Sequence, residues 1–133
     1  MTTRIFVNLP VKDLDRSVDF FTRLGYRFDP KFTDRNATCM VISDQIFVML
    51  LVEDFFRTFT HKAVCDTATS TEAILALSMD SRAAVDDMVG KAVAAGGRTA
   101  SAPKDYGFMY QHGFEDLDGH LWEVFYMEPE AAA

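Results

Sequence analysis

Cysteine and histidine are scarce in this chain. Only Cys39 and Cys65, and His61, His112 and His120, occur, and none stands in a CxxC, HxH or HxxxH spacing, so no zinc-ribbon, thioredoxin-type or local metal motif is present. There is also no GxSxG, GxxxxGK[ST] or GxGxxG, which removes the sequence grounds for a nucleophile elbow, a P-loop or a dinucleotide fingerprint. Gly96-Gly97 reads as a helix stop. Basic charge is short: 13 Lys and Arg against 20 Asp and Glu give −7, unsuited to a nucleic-acid or anionic-membrane surface. No apolar run is long enough to span a bilayer and no N-terminal signal pattern stands out. The expectation is a reduced, cytoplasmic protein with two free thiols, although the sequence is also compatible with a disulfide between them.

What is present is apolar patterning in 133 residues, enough for a core without staples. Arg4 to Leu9 reads as a strand stopped by Pro10. Asp13 can cap a helix from Leu14 to Leu24 with Leu14, Val18, Phe21 and Leu24 inward. Tyr26 to Phe28 begins a strand, and Thr38–Ile42 and Ile46–Leu51 form a hairpin. Glu53 to Phe59 reads as a short helix whose Phe55, Phe56 and Phe59 must pack on their own sheet, a pocket mouth or a partner chain. A small-polar run to Thr71 follows.

The pattern then repeats. Ile74 to Met79 is a strand, and Asp80 or Ser81 caps a helix from Arg82 to Ala95 with Val85, Met88, Val89, Ala92 and Val93 inward. Arg98-Thr99 begins a strand, Tyr106 to Phe114 is another, and Asp118-Gly119 turns the chain into Leu121–Met127. The tail Glu128 to Ala133 reads as frayed. Leu9 to Leu77 is 68 positions, Gly25 to Gly97 is 72, and Asp44 to Asp118 and Met49 to Glu123 are each 74. Steady offsets with one element order indicate a duplication. The predicted fold is α+β: two tandem β-α-β-β-β modules forming a curved mixed sheet with a cleft, helices on the outer face. The chain is read as one domain, with module one at about 4–52, a linker at about 53–72 and module two at about 73–128.

One charge stands out within the final strand. Alternation puts Leu121, Glu123 and Phe125 on one face and Trp122, Val124 and Tyr126 on the other. A carboxylate between Leu and Phe needs water, a partner or a task.

The paired modules, the opening Leu9-Pro10-Val11-Lys12-Asp13-Leu14-Asp15-Arg16-Ser17 and the closing Asp116-Leu117-Asp118-Gly119-His120-Leu121-Trp122-Glu123 resemble the vicinal oxygen chelate superfamily. It includes glyoxalase I, bleomycin-resistance proteins, fosfomycin-resistance enzymes and extradiol dioxygenases. The resemblance covers Arg4 to Met127. It implies a cleft in which the enzymes hold one divalent metal as Lewis acid and template. The matching positions here are Phe6, Met49, Ile74 and Glu123. Phe and Ile cannot ligate, and a thioether suits soft metals. No cofactor is therefore expected, and a divalent metal only if this register is shifted.

Alternation across the cleft strands gathers Phe6, Asn8, Phe47, Met49, Leu51, Ile74, Ala76, Ser78, Leu121, Glu123 and Phe125 on one face. An apolar face with isolated polar points suits an aromatic or amphipathic molecule and equally an ordinary core. Burial among Leu121, Phe125 and Met49 would raise the pKa of Glu123 and fit it as a general base or proton donor. It could instead pair with a cationic ligand, as the acidic clefts of bleomycin-resistance-like members do. A third role is a relic carboxylate satisfied by Tyr110, Asn8 or water. The leading expectation is a metal-independent small-molecule binding or sequestering protein with Glu123 as polar anchor. The ligand-binding set is Phe6, Asn8, Phe47, Met49, Ile74, Ala76, Tyr110, Leu121, Glu123 and Phe125. The alternatives are a glyoxalase-like lyase, isomerase or dioxygenase, and a structural subunit with a filled cleft. The expected partners are a small-molecule ligand and a second copy in a homodimer, with no nucleic acid or membrane.

Overall fold

Two stretches in which apolar residues alternate in period two, each interrupted by one stretch in period 3.6, give this chain its two sheets. The computed structural model describes residues 2–129 and divides at Cys65/Asp66 into two units.

In the first unit β1 (Ile5–Val11), α1 (Leu14–Arg23), β2 (Arg27–Asp29), β3 (Ala37–Val41) and β4 (Ile46–Val52) form a mixed sheet ordered β1-β4-β3-β2, with β1 parallel to β4. Pro10 does not stop β1; it lies in register with Leu51. β1 is an edge strand, where a residue without an N–H is tolerated. Asp13 caps α1 by accepting from the Arg16 N–H. The stripe α1 buries is Leu14, Ser17, Phe20 and Phe21, not one running through Val18. Phe20 and Phe21 meet edge to face with centroids 4.9 Å apart, beside buried Met40, Val48 and Leu50. After β4 the chain enters α2 (Glu53–Phe56), which packs on β1 and β4, and a 3₁₀ turn at Arg57–Phe59. Phe55 and Phe56 are half-buried, whereas Phe59 remains 68% exposed, against the expectation that all three would be covered.

The second unit contains β5 (Ile74–Ser78), α3 (Arg82–Ala94), β6 (Lys104–Asp105), β7 (Met109–Glu115) and β8 (Leu121–Met127), in sheet order β5-β8-β7-β6. Ser81 is the cap of α3, which buries Val85, Val89 and Ala92. Val93, expected inward, is exposed. The strand expected at Arg98-Thr99 is reduced to one bridge from Arg98 to Glu115. The strand expected from Tyr106 starts only at Met109. Gly107 takes a positive φ and the Tyr106 N–H donates to the Met109 carbonyl, so Tyr106 and Phe108 sit in a turn, exposed. Glu128 is not frayed: its N–H bonds the Phe108 carbonyl and its carboxylate meets Arg82. The remainder of the tail, 130–133, lies outside the described residues. Both cysteines are free; burial, then Asp29, pushes the Cys39 thiol up from its ordinary value.

The duplication is visible in the ladders. Asn8 pairs with Met49 in the first sheet; Ala76, 68 positions on, pairs with Glu123, 74 positions on, in the second. Met40 pairs with Val48, and Phe114 pairs with Trp122, each again 74 positions later.

The β7–β8 turn is built around one carboxylate. Asp116 is 6% exposed. Its Oδ1 accepts from the Asp118 and His120 N–H groups at 2.9 and 3.0 Å, and its Oδ2 accepts from the Trp122 indole at 2.9 Å. Burial pushes the Asp116 carboxyl above its ordinary value, opposed by His120 and these three donors. Asp116→Asn keeps one oxygen for the backbone donors but turns an amide N–H toward the indole N–H. The expected loss is about 1–3 kcal/mol in urea unfolding. With a folded-state pKa raised above the unfolded one, the contribution of Asp116 is complete below the ordinary Asp value and is lost as pH rises through the folded value. The stability margin of wild type over Asp116→Asn should therefore narrow from acid toward neutral pH, and a margin that widens would contradict the assignment.

Candidate functional site

The second sheet has two unlike faces. On one, Tyr110, Phe114, Trp122 and Val124 lie toward α3, which packs on β7 and β8. The stacked Phe114 and Trp122 rings, 6.3 Å apart, fill its centre. Tyr110 belongs here: its hydroxyl donates to Asp86 of α3 at 2.6 Å and the Arg82 guanidinium lies 5.3 Å from its ring centre. Sequence reading had grouped Tyr110 with Glu123. Its strand position, three residues from Gly113, puts it on the opposite face. The Asp86 carboxylate pushes the Tyr110 phenol up, aided by desolvation.

The other face carries Ile74, Ala76, Leu121, Glu123 and Phe125. Ile74 pairs with Leu121, Ala76 with Glu123, and Glu123 with Gly113 of β7. Glu123 is half-buried, and among the described residues no group hydrogen-bonds or ion-pairs its carboxylate. Gly113 gives it room, since a Cβ there would stand 3.3 Å from the Trp122 carbonyl and 3.8 Å from Glu123 Cγ. Two adjoining cavities meet at Gly113, Glu123 and Ser101. The larger, about 130 Å³, is walled by Ile74, Ala100, Phe114, Glu115, Leu121 and Trp122. The smaller, about 70 Å³, is walled by Ala102, Lys104, Gln111 and His112.

Sequence reading missed Ser101, Lys104, Gln111 and Gly113. The sequence assigns no element to the stretch between Arg98-Thr99 and Tyr106, and a glycine within a strand is itself a sign of close approach. A small network ties this stretch to β7. Thr99 Oγ1 donates to the Gly113 carbonyl at 2.7 Å, and His112 Nε2 lies 2.8 Å from the Ser101 carbonyl and 3.1 Å from Thr99 Oγ1. A carbonyl only accepts, so the hydrogen-bond network assigns a proton to Nε2. His112 is thus an edge histidine with its partners made. His120 adjoins Asp116 in the turn.

In the first unit Phe6 and Phe47 stack with centroids 4.7 Å apart, and Asn8, opposite Met49, donates to the Phe6 carbonyl at 3.3 Å. These four residues share one face of the first sheet, as alternation predicts.

The residues do not fit a divalent metal. Phe6 and Ile74 have no donor atom, Met49 offers a thioether, and Glu123 is the sole carboxylate of the four. Among the described residues no group of three or more His, Cys, Asp or Glu is gathered as a metal would require.

Comparison with known proteins agrees with the architecture. A family described as "Bleomycin resistance protein-like N-terminal" matches residues 3–43. A hypothetical protein, SA1046, from S. aureus is 26% identical with a TM-score of 0.80, each chain covered to 95%. A glyoxalase/bleomycin resistance protein/dioxygenase family enzyme from Burkholderia phytofirmans PsJN is 16% identical with a TM-score of 0.78, covering 95% of this chain and 99% of that one. A glyoxalase-related enzyme from Fulvimarina pelagi is 19% identical with a TM-score of 0.79, covering 95% and 88%. No curated protein matches by sequence. The chain has the fold of the vicinal oxygen chelate superfamily. At residues 3–43 its sequence is similar to the bleomycin-resistance-like N-terminal family.

The donor set predicts that chelator-washed protein offered Ni, Zn, Mn, Fe(II) or Mg retains well under one equivalent and does not shift in melting temperature. Elemental analysis with a thermal-shift titration checks this; one bound metal per chain would mean that Glu123 has ligand partners not identified in the sheet registers.

Proposed function

We propose that this protein binds or sequesters a small cationic molecule bearing an aromatic ring, without a metal, with Glu123 as its polar anchor. The observation that carries the reading is the half-buried carboxylate of Glu123 at a ring-sized, largely apolar cavity. Like that of Glu115 on the same wall, it has no hydrogen-bond or ion-pair partner among the described residues; unlike Glu115, it stands at the junction with the smaller cavity. A cavity of about 130 Å³ is close to the volume that holds one benzene ring. A half-buried carboxylate with no protein partner can take an ammonium or amidinium in a charge-assisted hydrogen bond. A lyase or dioxygenase of the metal-dependent kind would need donors that Phe6, Met49 and Ile74 do not provide. The binding reading needs only the residues present.

The lone tryptophan, Trp122, is buried on the α3 face of the sheet, opposite Glu123, so binding is read by isothermal titration calorimetry. Titration of 2-phenylethylamine should give a saturable heat of binding. Glu123→Gln should weaken that binding about tenfold or more, the loss of one charge-assisted hydrogen bond, with the melting temperature unchanged. Equal affinity in the two proteins would overturn Glu123 as the anchor.

A further inference from the structure

The smaller cavity adds a chemistry that the anchor reading does not use. Its wall holds two opposite charges, Glu123 from β8 and Lys104 from β6, together with Gln111 and with Ser101 and His112 of the network. Lys104 is exposed and, like Glu123, has no hydrogen-bond or ion-pair partner among the described residues. The two do not approach within 4.0 Å of each other, so the charges face one hollow without neutralising one another. Of the other cations of this unit, Arg82 meets Asp105 and Glu128 and Lys91 meets Asp87, while Arg98 is bonded to Glu115 through its backbone and lines neither cavity. His112 Nε2 is engaged by backbone and hydroxyl oxygen.

An ammonium alone answers only Glu123. A ligand that carries an ammonium beside a carboxylate answers both charges, with Gln111 and Ser101 offering neutral hydrogen bonds to the carboxylate oxygens. Because Glu123, Gly113 and Ser101 belong to both cavities, the ammonium sits at their junction. A ring one or two bonds away enters the apolar one. Resting on the proposal that Glu123 anchors a cation, we infer that the ligand class is the aromatic zwitterion: a primary ammonium and a carboxylate on adjacent positions, with one aromatic ring. Lys104 is its specificity-determining residue, separating zwitterions from simple aromatic amines.

The test uses the full chain and isothermal titration calorimetry with three probes: phenylalanine, 2-phenylethylamine and 3-phenylpropionate. Phenylalanine should bind about fivefold more tightly than 2-phenylethylamine, the upper range for a partly exposed ion pair, and 3-phenylpropionate least. Lys104→Gln should abolish that preference while leaving 2-phenylethylamine affinity unchanged, and Lys104→Arg should retain it. Glu123→Gln should weaken both amines. If 2-phenylethylamine binds in a Glu123-dependent way but phenylalanine gains nothing, or keeps its gain in Lys104→Gln, the zwitterion assignment fails and the anchor reading stands. If neither amine binds the wild type, both fail.

Discussion

The buried carboxylate of Asp116 fixes the register on which the candidate site depends. It ties two backbone N–H groups of the turn to the indole of Trp122, joining the turn geometry to the first inward side chain of β8. Strand faces alternate, so a slip of one residue would send Glu123 under α3 and bring Trp122 to the open face. Thr67 adds a second hold by donating to the Asp118 carbonyl. A side chain at Gly119 would collide with that threonine, its Cβ standing 2.8 Å from the hydroxyl, and the positive φ there already favours glycine. The carboxylate opposite Gly113 is therefore placed by polar contacts at the other end of the hairpin.

The two units use one register for unlike chemistry. Asn8 opposite Met49 and Ala76 opposite Glu123 occupy matching rungs. In the first unit the face is closed by ring stacking between Phe6 and Phe47. In the second it is opened by glycine at 113 and small residues at 76 and 78. A shared scaffold thus carries a polar hollow in one half and an apolar plate in the other, and function follows those side chains more than the fold.

Much of this was legible because duplication and alternation are properties of spacing. The 68- and 74-residue offsets, drawn from Leu9, Leu77, Met49 and Glu123 alone, reappear as ladder partners. The face assignment of Glu123 followed from period two. What spacing could not carry was where regular pairing breaks. Pro10 looked terminal because its edge position is a tertiary fact. Tyr106 to Phe114 looked like one unbroken strand, yet Gly107 turns the chain before the strand begins, and Tyr110 joins α3 through Asp86. Ser101 and Lys104 belong to a stretch whose placement comes from Thr99 and His112, contacts between side chain and backbone that no periodicity encodes.

That stretch is also where ligand choice is decided. Lys104 stands next to Asp105, whose carboxyl is held below its ordinary value by the Gly107 N–H and by Arg82. Arg82 in turn reaches the Gly107 carbonyl and Glu128. Each of these pairs is partly exposed and individually worth little. Their common hub is the first residue of α3, a helix held by buried Val85, Val89 and Ala92. The wall of the smaller cavity is thus referred to the core through one guanidinium on the far side of the sheet from Glu123. The anchor and the selector therefore have separate supports. Glu123 depends on the Asp116 turn and Lys104 on the Arg82 hub, so substitutions in the two supports should act separately on anchoring and on selectivity.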